Sequence, residues 1–153
     1  MGAKEFDYYI FIDYSEDLIG YTIFERNKVK EILPKISKLK HYKEIKHKKQ
    51  YIKAIRRGFE KKEILKDILV FKIKKISRNL EIFVDIGEFI KSNSNCLIFL
   101  SIDDKQYSSF KRLVKIVDGT NILIIKEGKL RKDSPEHRLS LIIDNLLNIK
   151  RTK

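Results

Sequence analysis

The order of apolar and polar positions along the chain predicts a β-hairpin followed by alternating helices and strands. Residues 7–14 and 18–25 are β-branched and aromatic runs separated by three polar residues, which predicts the hairpin. Residues 68–76 predict a third strand. Continuous apolar runs at residues 96–102 and 121–126 predict two strands that are buried on both faces.

Helical spacing of apolar residues appears between these strands. The Lys-rich residues 28–66 contain a predicted basic amphipathic helix, with basic side chains opposite an apolar side. Its apolar side consists of Tyr51, Ile52, Ile55 and Phe59. The interleaved aromatic residues Tyr42, Tyr51 and Phe59 permit stacking on bases, although core packing is the expected role of Tyr51 and Phe59.

Three further helices follow in the sequence. Asn79 is the predicted cap of a helix that runs to about residue 91, and residues 106–117 predict another. Ser134 is the predicted cap of the final helix, with Pro135 at its first position. We therefore predict an α/β fold, in which an antiparallel meander and then parallel strands form one mixed sheet flanked by helices. Residues 1–153 form a single domain in this prediction, with residues 28–66 as a basic helical insert.

Composition limits the class of protein. A chain of 153 residues that is 42% hydrophobic and 36% charged is expected to fold as one domain. Its apolar runs are too short to span a membrane, and its amino terminus lacks a signal-peptide apolar region. Cys96 is the single cysteine, which excludes an internal disulfide and a Cys-rich zinc site. We expect a soluble cytoplasmic protein with no membrane partner.

Charge is distributed unevenly along the chain. The net charge is +13, made up of −5 in residues 1–25, +15 in residues 26–79, −4 in residues 80–104 and +7 in residues 105–153. So large a basic excess favours a polyanionic partner, and nucleic acid, either RNA or DNA, is the first candidate. The alternative is a thermophile-like composition rich in Lys, Ile and Glu, in which charge does not imply binding.

Carboxylates stand where predicted strands end and inside an apolar helix. Asp13 lies near the end of the first strand, Asp103 follows the buried strand at residues 96–102, and Asp144 interrupts an apolar stretch of the last helix. A buried carboxylate is costly unless it is paired, hydrogen-bonded or bound to a cation. Asp144 is alternatively a solvated or ion-paired helix acid.

The helix after Asn79 carries its acids on one face. Glu81, Asp85 and Glu88 follow each other at helical spacing, for which a solvated face is the simplest explanation. Asp85 lies nearest the apolar edge and is best placed to reach a sheet end. Acids from separate elements are the ligands that Mg²⁺ or Mn²⁺ prefers, and two such ions can promote phosphodiester cleavage.

The order of elements and acids resembles the ribonuclease H-like superfamily. That fold has Asp in the first strand, an acid in the first helix, Asp at the end of the fourth strand and Asp in the last helix. The matching positions here are Asp13, Asp85 or Glu81, Asp103 and Asp144.

Two motifs resemble an uncharacterised family of that superfamily more specifically. Residues 10–20 (IFIDYSEDLIG) are similar to its opening Asp-Glu-Ser-Gly-Asp run, and residues 133–148 (DSPEHRLSLIIDNLLN) are similar to its Asp-Ser … Leu-Gln-Leu-Ala-Asp-Leu-Leu ending. Where the family has Glu, Gly and Ala, this chain has Tyr14, Glu16 and Ile143. The resemblance implies metal-dependent nuclease chemistry with catalytic acids Asp13, Asp85, Asp103 and Asp144. It implies that Asp13, Asp103 and Asp144, with Glu81 as a further candidate, bind Mg²⁺ or Mn²⁺, supported by Ser15, Asp17 and Ser134.

Histidines and other motifs add little. His137 is a candidate to move protons near Asp144, but a surface role is the simpler interpretation, as it is for His41 and His47. The chain has no Gly-rich phosphate loop and no setting for a Ser or Cys nucleophile.

Three functions remain open from the sequence. The first is a Mg²⁺- or Mn²⁺-dependent nuclease acting on RNA, RNA–DNA hybrid or structured DNA. The phosphates of its substrate would be held by Lys48, Lys49, Lys53, Arg56 and Arg57. The second is a non-catalytic ribonuclease H-like module that binds nucleic acid or a ribonucleoprotein. The third makes the insert a docking arm for an acidic protein or a membrane surface.

Overall fold

Five strands form one mixed sheet at the centre of the molecule. The computed structural model describes residues 6–93, 95–101, 107–108, 110–112, 122–126 and 129–152. The strands are β1 (Tyr8–Ser15), β2 (Leu18–Glu25), β3 (Val70–Lys75), β4 (Cys96–Ser101) and β5 (Ile122–Lys126). Their order is β3-β2-β1-β4-β5. Strand β2 is antiparallel to both of its neighbours, β1 and β3, and β4 is parallel to both of its neighbours, β1 and β5. The predicted meander followed by parallel strands is confirmed.

Helices flank this sheet, as predicted. They are α1 (Arg26–Ile32), α2 (Lys48–Lys62), α3 (Asn79–Ser92) and α4 (Pro135–Arg151). Short 3₁₀ turns lie at Leu33–Ile36, Tyr42–Glu44, Ile64–Asp67 and Ile76–Arg78. Residues 107–108 and 110–112 are also helical, and the rest of the helix predicted over residues 106–117 lies outside the described residues. None of the helices in the described part of the chain has the length and apolar character needed to cross a membrane.

The two predicted helix caps have different outcomes. Ser134 caps α4, because its Oγ accepts a hydrogen bond of 3.2 Å from the His137 N–H, and Pro135 occupies the first helical position. The Asn79 prediction is wrong by one residue. Asn79 lies inside α3, Arg78 precedes the helix, and no side chain caps it.

The sheet separates two apolar layers. On one face, Ile82, Ile86 and Ile90 of α3 pack with Ile10 and Ile12 of β1. On the other face, α1, α2 and α4 pack over a cluster that includes Phe11, Phe24, Phe99, Ile142 and Leu147. Because side chains alternate along a strand, Asp13 follows Phe11 onto the face that α4 covers.

Gly20 lets α4 approach the sheet beside Asp13. The two residues are partners in the β1–β2 register. A Cβ atom on Gly20 would lie 2.9 Å from the Lys72 carbonyl oxygen, 2.9 Å from Ile73 Cγ1 and 3.1 Å from Ile143 Cδ1. Only a residue without a side chain fits there, and Ile143 directly precedes Asp144 on the helix.

Candidate functional site

A cleft of about 860 Å³ opens where the parallel strands end. Asp13 of β1, Ser101 of β4 and Lys126 of β5 line its floor. One wall is the carboxyl-terminal half of α4, and the other comes from residues 41–48 of the Lys-rich region between β2 and β3. The strand ends of an α/β sheet are a usual place for a binding site, because chain connections there leave a crevice.

Two buried acids lie in this cleft. Asp13 is 5% exposed and Asp144 is 6% exposed. The β1 strand fixes Asp13 next to Ser101 across the parallel register, and Oδ1 of Asp13 accepts a hydrogen bond of 2.8 Å from the Tyr14 N–H. Helix α4 brings Asp144 over the same strand ends. The cleft thus unites two of the acids singled out in the sequence.

The Asp144 carboxylate is held by the chain segment before α2. Its Oδ2 accepts a hydrogen bond of 2.9 Å from the Tyr42 N–H, and its Oδ1 lies 3.8 Å from His41 Nε2. Burial raises the pKa of the Asp144 carboxyl above its usual value, while the Tyr42 N–H and the charges of His41 and Lys43 act in the opposite direction. The net direction is upward, so the buried carboxylate is costly and benefits from any added positive charge.

The main chain of Lys40 forms hydrogen bonds that join the segment before α2 to both α4 and α2. The carbonyl oxygen of Lys40 accepts a hydrogen bond of 3.1 Å from Asn145 Nδ2. The hydroxyl of Tyr51 accepts from the Lys40 N–H at 2.8 Å and donates to the Lys40 carbonyl at 3.1 Å. Since Asn145 is fully buried on α4, the Lys-rich region is anchored to the helix that carries Asp144.

Asn148 joins the end of β1 to α4. Its Oδ1 accepts hydrogen bonds from Ser15 Oγ at 3.1 Å and from Arg151 Nη2 at 2.9 Å. Its Nδ2 donates to the Asp144 carbonyl at 2.8 Å. Asn148 is 3% exposed, and this network ties the half-buried Ser15 to the turn of α4 that carries Asp144. Ser15 therefore lies at the cleft, as a supporting group would.

Cationic side chains surround the two acids. Those that line the cleft are Lys43, Lys48, Lys126, Lys129 and Arg151. The ring of Tyr42 lies between two of them, with Lys48 Nζ 5.5 Å and Arg151 Cζ 5.6 Å from its centroid. Glu16 is the one further acid among the described lining residues. The cleft is thus positive overall around a buried acidic floor, an arrangement that attracts anions.

Asp85 and Glu81 lie away from the cleft. Both are on α3, which covers the opposite face of the sheet. Oδ2 of Asp85 is 2.9 Å from Lys72 Nζ, and Glu81 forms a two-point contact with the Arg78 guanidinium. Arg78 holds the pKa of Glu81 below its usual range. The expectation that one of these acids joins Asp13 and Asp144 is corrected, because α3 turns its acidic side toward lysine and arginine at the surface.

Three other predicted supporting residues also lie elsewhere. Ser134 caps α4, and His137 Nδ1 accepts a hydrogen bond of 3.2 Å from the Asp133 N–H, so both belong to the start of that helix. His137 and Asp144 are seven residues apart, which is about 10 Å along a helix. Asp17 is exposed in the β1–β2 turn, where its carbonyl oxygen accepts from the Ile76 N–H at 2.6 Å. Asp103 lies outside the described residues.

Four of the five predicted phosphate-binding residues lie at or beside the cleft. Lys48 lines the cleft itself, and Lys48, Lys49, Lys53 and Arg56 line an adjoining cavity. Arg57 is exposed and lines neither.

The sequence interpretation missed several residues of the site. His41 was assigned to a solvated surface, yet its imidazole faces Asp144. Tyr42 is predicted only as a residue that permits base stacking, and its main-chain contact with Asp144 is missed. Asn148 is not predicted as a site residue. The sequence did contain a signal for Asn148, because Ser140, Asp144 and Asn148 recur at intervals of four residues within the apolar stretch 139–148.

The acidic side chains of the cleft are candidate ligands for a divalent ion. Among the described residues, no group of three or more His, Cys, Asp and Glu side chains could hold a metal ion. Asp13 and Asp144 are nevertheless two hard oxygen donors in one cleft. Mg²⁺ is usually bound by one or two carboxylates together with water and substrate phosphate, so the two side chains supply the type of donor atom that such an ion prefers.

The chain was compared with known proteins. No protein-family profile and no curated protein sequence matches it. The structure is similar to that of ribonuclease H2 from Pyrococcus horikoshii OT3, with a TM-score of 0.49 and 12% identity, over 95% of this chain and 72% of that one. It is also similar to a chain in the structure of the PCNA:RNase HII complex from Archaeoglobus fulgidus, with a TM-score of 0.49 and 11% identity, over 97% of this chain and 73% of that one. Both likenesses concern the course of the backbone.

Proposed function

We propose that this protein binds nucleic acid in the cleft and hydrolyses its phosphodiester bonds with a divalent ion, Mg²⁺ or Mn²⁺, held by Asp13 and Asp144. The observation that carries this proposal is the position of two buried carboxylates among five cationic side chains at the ends of parallel strands. Neither the buried carboxylates nor the cationic side chains alone suggest hydrolysis. Together they suit a phosphodiester, since the cationic side chains would bind backbone phosphates and the buried acids would hold a metal ion that takes phosphate oxygens as ligands.

Electrostatics support the pairing of the acids with a cation. Burial raises the pKa of Asp144, so its charged form is disfavoured in the protein alone. The Asp144 carboxylate would lose much of that penalty if it held a divalent ion. When bound, such an ion supplies Lewis-acid stabilisation and an activated water. Asp103 remains a proposed further ligand.

The chain's own residues would bind and orient. Lys43, Lys126 and Lys129 line the cleft and would hold backbone phosphates. Asn148 fixes the turn of α4 that carries Asp144, and the Tyr42 N–H fixes one oxygen of the Asp144 carboxylate. Preorganisation of this kind lowers the cost of orienting groups during reaction.

The test is a cleavage assay on RNA, RNA–DNA hybrid and branched DNA, with Mg²⁺ or Mn²⁺ and with chelator. We expect at least a ~100-fold loss of rate for Asp13→Asn and for Asp144→Asn, because each removes a metal-binding charge. Glu88→Gln, at an exposed acid of α3, is the matched control and should leave the rate unchanged. Metal-independent cleavage, or full activity of Asp13→Asn, would overturn the proposal.

A second candidate is a non-catalytic module that binds nucleic acid or a ribonucleoprotein through the same basic surface. It is favoured by the engagement of Asp144 by the Tyr42 N–H and His41, which occupies the carboxylate within the protein itself. This candidate predicts salt-sensitive binding without turnover in either metal. Binding that is indifferent to salt between ~50 and ~200 mM would contradict both candidates, since phosphate contacts release counterions.

A further inference from the structure

A second cavity of about 330 Å³ adjoins the cleft. We call it the basic groove, and its polar lining consists of Tyr42, Lys48, Lys49, Lys53, Arg56 and Thr152. Tyr42 and Lys48 line the cleft as well, and Arg151 of the cleft directly precedes Thr152 of the groove. The two cavities therefore meet between the start of α2 and the end of α4.

Helix α2 presents its groove residues on one side. Residues 48, 49, 52, 53 and 56 span an arc of about 140° at 100° per residue. Among the described residues that line the groove, none is acidic, whereas the floor of the cleft is. The described lining of the groove therefore favours an anion and offers no carboxylate or imidazole to a metal ion.

The start of α2 adds to the attraction for an anion. His47 precedes the helix without a side-chain hydrogen bond to it, and the first turn contains no acidic residue. The first N–H groups of a helix lack partners within the helix, and its dipole favours negative charge at that end. Lys48 and Lys49 stand in this first turn.

Arg56 provides an independent observation. Its Nε is buried, and within the described part of the chain it has no hydrogen-bond partner. A buried donor without an acceptor costs free energy, and a turn of the half-buried Arg56 guanidinium toward a bound anion would recover that cost. Guanidinium groups are well suited to phosphate oxygens, because several donors lie in one plane.

We propose that the basic groove is a phosphate subsite for a polynucleotide strand whose neighbouring segment lies in the cleft. The inference rests on the proposed function and adds the substrate class, which is a strand long enough to span both cavities. A short oligonucleotide that fills the cleft alone would lack the groove contacts. Binding strength should therefore rise with strand length until both cavities are filled.

The experiment measures the anisotropy of labelled single strands of ~4 and ~16 nucleotides, within the usual range of single-strand site sizes. In the double variant Lys49→Glu/Lys53→Glu, we expect at least ~10-fold weaker binding of the long strand and unchanged binding of the short one. The salt dependence of long-strand binding should fall by about two ions, one for each lost phosphate contact. Lys129→Glu, which changes the cleft alone, should weaken both lengths.

Lys61→Glu/Lys62→Glu is the control with the same change of charge, because both lysines are exposed on α2 and line neither the cleft nor the basic groove. All substituted lysines of α2 are exposed, and a thermal melt of each variant confirms folding before binding is compared. Polyglutamate of matched charge serves as a competitor, and it should displace the long strand poorly.

The outcomes separate the two proposals. Failure of the unmodified protein to bind either single strand would overturn the inference, and failure to bind RNA–DNA hybrid and branched DNA as well would overturn the proposed function. If it binds both strands but the double variant weakens neither, or weakens both equally, the groove is not a separate subsite and the inference is overturned. Displacement by polyglutamate as effective as that by unlabelled strand would overturn the assignment to a polynucleotide.

Discussion

The two faces of the sheet hold their carboxylates in opposite states. On the α4 face, Asp13 and Asp144 are buried and accept hydrogen bonds from main-chain N–H groups. On the α3 face, Glu81 is exposed and Asp85 is partly exposed, and each forms an ion pair with a basic side chain. Surface ion pairs of this kind add little stability and are common on any protein. Burial at strand ends, rather than spacing along a helix, therefore distinguishes the acids of a candidate site.

The helices on the two faces differ in the same way. Helix α3 buries Ile82, Phe83, Ile86, Gly87 and Ile90, none of which has a polar side chain. Helix α4 buries four polar residues besides its apolar ones, Ser140, Asp144, Asn145 and Asn148. Desolvation of these groups opposes folding unless hydrogen bonds compensate it. The α3 face accordingly serves stability, whereas the α4 face combines stability with the candidate site.

The largest expected effect tests the structural role of the α3 face. Ile86→Ala removes a fully buried side chain and should lower the free energy of unfolding by about 2–5 kcal/mol, measured by urea denaturation. Anisotropy below the unfolding transition should show unchanged affinity for a polynucleotide. A parallel loss of affinity in the folded protein would contradict the division between the faces.

A smaller effect is expected where α4 meets the sheet. Gly20→Ala places a methyl group against the Lys72 carbonyl and Ile143, which should cost about 1–3 kcal/mol and displace the turn that carries Asp144. Both stability and polynucleotide affinity should fall. The control is Gly58→Ala in α2, where a Cβ meets nothing within 4 Å in the described part of the chain, and where a gain of about 0.5–1 kcal/mol is expected. Equal destabilisation by both substitutions would show that close packing at Gly20 is unimportant.

The smallest expected effect is the change in the free energy of unfolding when one acid on each face is neutralised, and its sign should differ between the two faces. Because the pKa of Asp144 is raised on folding, its ionisation destabilises the fold above that pKa and has no effect below the usual value. Asp144→Asn should therefore raise the free energy of unfolding at neutral pH, with a gain that disappears in acid. Because the pKa of Glu81 is lowered, Glu81→Gln should reduce stability at neutral pH, with a loss that also disappears in acid.

Denaturant titrations of both variants and the unmodified protein, from neutral pH to about pH 3, give these differences directly. The same sign for both substitutions at neutral pH would contradict the comparison of the two acids.

The preference of Ser and Asn for helix caps predicted a helix start correctly only where the residue before the helix has an extended backbone. Ser134 is extended, with φ −67° and ψ 159°, so its side chain reaches the helix. Asn79 follows the 3₁₀ turn Ile76–Arg78 and is already helical, with φ −58° and ψ −29°. The same residue preference therefore succeeded at one helix and failed at the other, because a cap depends on the incoming chain as well as on the residue.

The candidate site was predictable to a similar extent. Asp13 and Asp144 each interrupt an apolar segment, so the sequence marked both as candidates, and the structure brings both to one cleft. Asp85 met the same criterion less well, and Lys72 of β3 neutralises it at the surface. His41 carried no pattern at all, since its contact with Asp144 depends on how residues 40–44 return to α4.

The sequence by itself determined the five strands, helices α2, α3 and α4 and the mixed sheet, because apolar periodicity and turn residues act over short distances along the chain. It also determined the basic excess and the acids at strand ends. Only the tertiary structure decided which acids share a cleft, that Tyr42 and His41 hold Asp144, and that a basic groove adjoins the site. The physical reason is that these contacts join residues distant in sequence, and their formation depends on the burial and packing of the whole molecule rather than on local preference.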